Sequence, residues 1–121
     1  MRVYLLNPPF IPRFSRSMRW QEKARGGTIY YPIWLAYATG LLEKEGHKTR
    51  LIDAPAVGYN VDWIVKDIRA FKPDLIVVET SFTSLYNDLN VAERIKQTYP
   101  DGKIAIVGPP TSVLMDVIFR C

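Results

Sequence analysis

Short apolar runs alternate with longer amphipathic segments along this chain. Runs at Arg2–Asn7, 75–78 and Lys103–Val107, with a more alternating segment at 47–53, predict four β-strands. The run at 75–78 is continuously apolar, which is typical of a strand that is buried on both faces of a parallel sheet. The segment at 47–53 is more polar and therefore predicts an edge strand.

The segments between these strands have their apolar residues at helical spacing. Apolar positions recur at helical spacing within 33–45, Val61–Phe71 and 85–99, so these segments predict three amphipathic helices. Asn60 is a good N-cap for the second helix. Residues 111–121 predict the start of a fourth helix. The chain then reads as four strand–helix units in succession.

Strand–helix–strand units require parallel pairing through right-handed crossovers. We therefore expect a flavodoxin-like three-layer α/β/α sandwich over residues 1–121, with a parallel sheet of order 2-1-3-4. The fifth strand of that pattern is missing or truncated, so we expect a fragment of a longer protein. An unpaired outer edge on the fourth strand, beside the apolar segment 113–119, predicts self-association of the fragment.

The positive charge of the chain is concentrated in one loop. Residues 11–27 hold five basic side chains and one acid, a net +4 that equals the formal charge of the whole chain. This concentration disfavours a uniformly basic nucleic-acid surface and predicts a poorly ordered loop, 10–31, that attracts an anion. The alternative is an ordinary solvated loop. The five basic residues are Arg13, Arg16, Arg19, Lys23 and Arg25.

In a sheet of this order, ligands bind outside the carboxyl ends of the strands, where the strand order reverses. Three segments converge there: the turn after the first strand, a hydroxyl-rich run after the third and a glycine–proline turn after the fourth. Their functional interpretation is contact with a phosphate or polar tail, and the alternative is local capping and turn formation. The candidate cofactor-binding residues are Asn7, Pro8, Pro9, Thr80, Ser81, Thr83, Ser84, Gly108, Pro109 and Pro110.

Several chemistries lack the residues that they need. The chain has no G-x-G-x-x-G or P-loop motif, and no acidic pair or phosphate loop follows the first strand. The single histidine, His47, lies at the wrong end of the second strand, and Cys121 is the single cysteine, so no catalytic residue and no metal ligand is predicted. Trp34 and Trp63 are expected to be packing residues. The lone cysteine and the absence of a long apolar run predict a cytoplasmic protein without a transmembrane segment.

A set of motifs in order resembles a known family. The first strand ends in Asn7-Pro8-Pro9; Tyr31-Pro32-x-Trp34 and Gly40-Leu41-Leu42-Glu43-x-x-Gly46-His47 follow, then Asp53-Ala54, Lys72-Pro73-Asp74 and Gly108-Pro109. Together they resemble the N-terminal cobalamin-binding domain of B12-dependent radical SAM proteins, nearest to members associated with hopanoid biosynthesis. The resemblance covers most of the chain.

The resemblance implies a cobalamin on the carboxyl edge of the sheet, with its nucleotide tail near the loops after the third and fourth strands. It also implies a partner, the protein's own C-terminal radical SAM barrel, which would carry a [4Fe–4S] cluster and S-adenosylmethionine for methyl transfer or related radical chemistry. No histidine follows the first strand, so the cobalamin would be His-off. Pro110 replaces the histidine of the family's Gly-Gly-Pro-His turn, which favours the alternative of a cofactor-free substrate-recognition or interaction module.

Overall fold

A computed structural model describes residues 1–16, 22–23 and 31–120, with only the backbone described at 22–23. Its main body is a four-stranded sheet with helices on both faces. The strands are β1 (Arg2–Asn7), β2 (Phe14–Ser15), β3 (Glu22–Lys23), β4 (Lys48–Asp53), β5 (Leu75–Glu79) and β6 (Lys103–Val107). The helices are α1 (Ile33–Lys44), α2 (Ala54–Val57), α3 (Val61–Phe71), α4 (Leu85–Thr98) and α5 (Met115–Arg120), with a 3₁₀ turn at Pro109–Ser112.

The sheet has the order β4-β1-β5-β6, and all three pairings in it are parallel. These strands are the four that the sequence predicts, so the expected α/β class and the order 2-1-3-4 are confirmed. The strand order reverses between β1 and β5, as a doubly wound sheet requires. Asn7 pairs with Asp53, and Glu79 pairs with Val107, so polar residues end three neighbouring strands at the same edge.

Two apolar cores cover the faces of this sheet because side chains alternate along each strand. Tyr4 and Leu6 of β1 point towards the larger core, which includes residues of α3 and α4 such as Ile64 and Ile95. Val3 and Leu5 point to the opposite face, where Leu35 of α1 completes a smaller core. β1 is therefore buried on both sides, as expected for a central strand.

The structure differs from the expectation in four places. The connection after β4 forms the short helix α2, and Phe14–Ser15 pairs with Glu22–Lys23 as a small antiparallel ribbon inside the predicted irregular loop. The helix predicted over 111–121 is a 3₁₀ turn followed by α5. Trp34, expected to be a packing residue, is 71% exposed on the outer face of α1. Trp34 lies on the side of α1 that faces away from the sheet, whereas the next residue, Leu35, is buried.

The outer edge of β6 has no strand partner among the described residues. Cavities of about 530 and 310 Å³ flank this strand, and Ile118 of α5 lines both. α5 has no buried residue, and its Phe119 is 81% exposed. Self-association through this region stays a prediction. No helix within the described ranges has the length and apolar content to cross a membrane.

Candidate functional site

A row of polar side chains crosses the carboxyl edge of the sheet. Asp53 ends β4, Asn7 ends β1 and Glu79 ends β5, and their positions in register place all three on the α1 face of the sheet. The Asn7 amide donates a hydrogen bond of 2.8 Å to Asp53 Oδ1. This row lies at the point where the strand order reverses, which is the predicted ligand position.

A buried ion pair lies at the same edge. Arg16 Nη2 donates to Asp88 Oδ1 at 2.5 Å, and both side chains are 0% exposed. Asp88 lies on α4 and Arg16 lies in the loop after β1, 72 residues earlier. A buried pair of this kind is tolerated only when its remaining donors and acceptors are also satisfied.

The Arg16 guanidinium meets that condition. Nη1 donates to Asn7 Oδ1 at 2.7 Å and to the Pro8 carbonyl at 2.8 Å, while Nε donates to Ser84 Oγ at 3.1 Å and to the Asp88 carboxylate. The ring of Phe14 lies 5.3 Å from the guanidinium carbon. The loop after β1 therefore folds back over the sheet edge and is held there by one cation.

The sequence predicts that Arg16 belongs to a poorly ordered loop that attracts an anion, but in the structure its side chain is buried and its charge is paired with Asp88. Phe14 and Ser15 are also buried, so this part of the loop is anchored. Arg13 is exposed, with a positive φ of 59° and its amide bonded to the Pro55 carbonyl. Lys23 lies in β3 and pairs with Phe14 through the backbone. Arg19 and Arg25 lie outside the described residues.

The hydroxyl-rich run after β5 is bonded to the same acid. Thr80 Oγ1 and Ser84 Oγ donate to Asp88 Oδ2 at 2.8 and 2.6 Å, and the hydroxyls of Ser81 and Ser84 lie 2.7 Å apart. All three hydroxyl residues are buried, whereas Thr83 is exposed. Their contact with a cofactor stays a prediction, and in this conformation their hydroxyls already have protein partners.

Gly108 follows β6 with a φ of 127°, a region that side chains rarely adopt. A Cβ placed on it would lie 2.2 Å from the carbonyl oxygen of Thr80. The sequence predicts that a glycine here permits close approach of a ligand. In the structure the close approach is made by the Thr80 backbone, whose amide also donates to the Val107 carbonyl at 2.8 Å. Pro110 is buried beside it and Pro109 is exposed.

Glu79 is the unsatisfied member of the edge. The residue is 6% exposed, and its Oε2 is the buried side-chain polar atom without a hydrogen-bond partner in the described part of the chain. Burial raises the pKa of its carboxyl group to about 7, the Arg16 charge opposes this, and Asp53 and Asp88 reinforce it. Burial also raises the pKa of Asp53, against the hydrogen bond from Asn7.

Stability is therefore expected to fall as pH rises. The raised pKa means that the folded protein binds more protons than the unfolded chain between pH 4.5 and about 7, so unfolding becomes easier across that interval. The loss for Glu79 is about 3 kcal/mol. Urea unfolding at pH 5 and pH 8 measures it, and Glu79→Gln is expected to remove most of the difference. An equal pH dependence in both proteins would contradict the raised pKa.

A cavity of about 290 Å³ opens on the α3 side of the same edge. Pro9, Phe10, Pro55 and Tyr59 contribute to its lining, and Asn87 donates to the Pro9 carbonyl at 2.7 Å. The Tyr59 ring stacks on Trp63 with 3.6 Å between ring centroids. The cavity can accept a flat apolar group next to a few polar atoms. Pro8, by contrast, is buried.

Three residues of this edge are absent from the sequence-based candidates. Asp53 and Glu79 are the last residues of their strands. Each is an acidic residue that directly follows an apolar residue at a strand end, and this pattern could have identified them as site residues. Asp88 follows Ser84 by four residues and thus shares its helix face, but nothing local marks that face as buried.

His47 lies just before β4, at the opposite edge of the sheet. No group of three or more metal-ligating side chains occurs in the ranges that the structure describes.

Comparison with known proteins identifies one matching family and one similar curated protein. A family model described as the B12 binding domain matches residues 23–120. The chain is 24% identical over 120 residues to an uncharacterized methyltransferase of Pyrococcus horikoshii. That alignment covers 99% of this chain and 24% of the relative, so the chain spans about a quarter of that protein's length. No solved structure matches the chain.

Proposed function

This chain belongs to the B12 binding domain family, and we propose that it binds cobalamin on the carboxyl edge of its sheet. The observation that carries the proposal is the family match over residues 23–120, which include β4, β5, β6 and the loops that follow them. The edge lies where a doubly wound sheet binds its ligands.

The residues of this edge fit such a ligand in part. Glu79 offers an acceptor atom that has no partner within residues 1–16 and 31–120, and Phe82, Thr83 and Pro109 are exposed on the loops that follow β5 and β6. The cavity beside Pro9 would take only a portion of a large cofactor, so the macrocycle would rest on the edge. When bound, cobalamin supplies a cobalt centre that can carry a methyl group. The exposed loop residues would hold and orient it.

The proposed binding is His-off. His47 is the single histidine of the sequence, and it lies at the amino edge, away from the proposed site. His47 could ligate the cobalt only if the cobalamin lay at the opposite edge of the sheet. Replacement of His47 by alanine should therefore leave the affinity unchanged.

The activity of a longer protein is a further part of the proposal. The similarity to a named methyltransferase supports a role in methyl transfer. We propose that the catalytic part is a radical SAM barrel, with its [4Fe–4S] cluster and S-adenosylmethionine, outside this chain. The proposed compartment is the cytoplasm. Both statements rest on the resemblance and on the single cysteine of the sequence.

One observation favours a second candidate. Arg16 already occupies the carboxyl edge and, with Asp88, engages Asn7, Thr80 and Ser84. An edge filled by the protein's own side chains suits a cofactor-free module that recognises a substrate or another domain. The two candidates differ in one measurable property, retention of cobalamin.

Hydroxocobalamin mixed with the protein and then desalted tests the proposal. We expect the corrinoid absorbance to elute with the protein, for the wild type and for His47→Ala equally. Phe82→Ala should weaken binding about tenfold, because a phenyl group leaves the contact. Tyr37→Ala removes a comparably exposed aromatic from α1 and should have no effect. Elution of all proteins without corrinoid would favour the cofactor-free module.

A further inference from the structure

One buried acceptor atom at this edge lacks a partner among the residues that the structure describes, whereas other buried polar groups there are bonded. None of the described residues donates a hydrogen bond to Glu79 Oε2, although Glu79 is only 6% exposed. Leaving a buried acceptor unpaired is costly, and native proteins rarely do so without a functional reason. The missing donor is therefore a candidate feature of the ligand.

The neighbouring cation does not supply that donor. Arg16 directs its Nη1 group to Asn7 and the Pro8 carbonyl, its Nη2 group to Asp88, and its Nε to Ser84 and Asp88. The charged groups that act on the Glu79 carboxyl are Arg16 from the loop, Asp53 from β4 and Asp88 from α4. Because Arg16 is already paired with Asp88, the electrostatic field at Glu79 is net negative. Such a field favours the N–H donors of a ligand and repels its carboxylates.

The position of Glu79 fits contact with a ligand on the sheet edge. It ends β5, beside β1, where the strand order reverses, and it shares its face with Asn7 and Asp53. A carboxylate accepts hydrogen bonds through both oxygens and donates none when ionised. Primary amide N–H groups match such an acceptor, while a ligand carboxylate would bring two like charges together.

We propose that Glu79, in the field of Asp53, binds primary amide groups of the ligand and selects against carboxylates at the same place. This inference rests on the proposed function, because the rim of cobalamin carries amide side chains. It assigns to Glu79 the discrimination between a fully amidated corrinoid and one with a hydrolysed side chain.

The proposal has a consequence for pH. The ionised carboxylate is the stronger acceptor, and in the free protein Glu79 takes up a proton below about pH 7. Binding through the ionised form must first release that proton in acid solution. The affinity for the amidated ligand should therefore rise as pH increases through 7 and level off above it.

The test measures the dissociation constants of hydroxocobalamin and of a cobalamin monocarboxylate at pH 6 and pH 8. The wild type should bind the amidated form at least about tenfold more tightly than the monocarboxylate at pH 8, and about tenfold more tightly at pH 8 than at pH 6. Glu79→Gln should bring both ratios to within about twofold. Glu93→Gln, an exposed acid on α4, is the matched control and should behave as the wild type.

The outcomes separate this inference from the proposed function. Binding of hydroxocobalamin with the same two ratios in the wild type and in Glu79→Gln would overturn the role of Glu79 and leave cobalamin binding intact. Binding by neither protein would overturn both. Far-ultraviolet circular dichroism of each variant establishes that the compared proteins are folded, and we expect Glu79→Gln to fold because it replaces a buried acid by a neutral group of the same shape.

Discussion

Replacement of Asp88 by alanine is expected to destabilise the fold by about 3–5 kcal/mol. The change leaves the Arg16 guanidinium buried without its counter-ion, and it removes the acceptor for Thr80 and Ser84. Such a loss is a large fraction of the stability of a small domain. Urea unfolding followed by tryptophan fluorescence measures it.

The exposed pair between Arg94 and Asp62 is the control. Its side chains are 53% and 66% exposed, so Asp62→Ala should cost less than about 1 kcal/mol. The double variant Arg16→Met, Asp88→Leu removes both charges and should recover part of the lost stability. If Asp88→Ala were as mild as Asp62→Ala, the buried pair would not be a main support of the edge.

Gly108→Ala is expected to be the second severe change. The added methyl group would lie 2.2 Å from the Thr80 carbonyl oxygen, a backbone atom that cannot rotate away, and the φ of 127° is unfavourable for alanine. We expect a loss of about 3 kcal/mol or more, because β6 and the loop after β5 must separate. The midpoint of thermal unfolding reports the change.

Gly40 provides the matched comparison. It lies within α1, and a Cβ there would meet no atom within 4 Å. Gly40→Ala should therefore stabilise the protein by about 0.5–1 kcal/mol through helix propensity. Equal effects at both glycines would show that space at Gly108 is not what selects the residue.

The sheet and the long helices follow from local patterns. Continuous or alternating apolar runs identify β1, β5 and β6, and the helical spacing from Val61 to Phe71 gives the observed bounds of α3. α2 is different, because its four residues contain a proline and show no periodicity. The ribbon of β2 with β3 has only two residues in each strand, too few for a pattern to emerge.

The position of the candidate site and some of its polar residues, such as Asn7, Thr80 and Ser84, could be predicted from the sequence, but the ion pair at its centre could not. Parallel topology places the ends of β1, β4 and β5 together, which locates the site without side-chain detail. Arg16 lies among four other basic residues, and a sequence offers no sign that one of them finds an acid 72 positions later. The burial of Asp88 is equally difficult to predict, since an aspartate on an amphipathic helix is expected to be exposed to solvent. Tertiary pairing, and not local preference, decides both.

The central place of β1 has a consequence for synthesis on the ribosome. β1 leaves the exit tunnel before β4 and β5, yet it is hydrogen-bonded to both. Arg2 also bonds to Asp74, 72 residues later, a separation that takes roughly 4 to 14 s to translate. Until β4 and then β5 have been synthesised, this apolar strand lacks one or both of its neighbouring strands, and it is a natural binding segment for a chaperone that holds nascent chains.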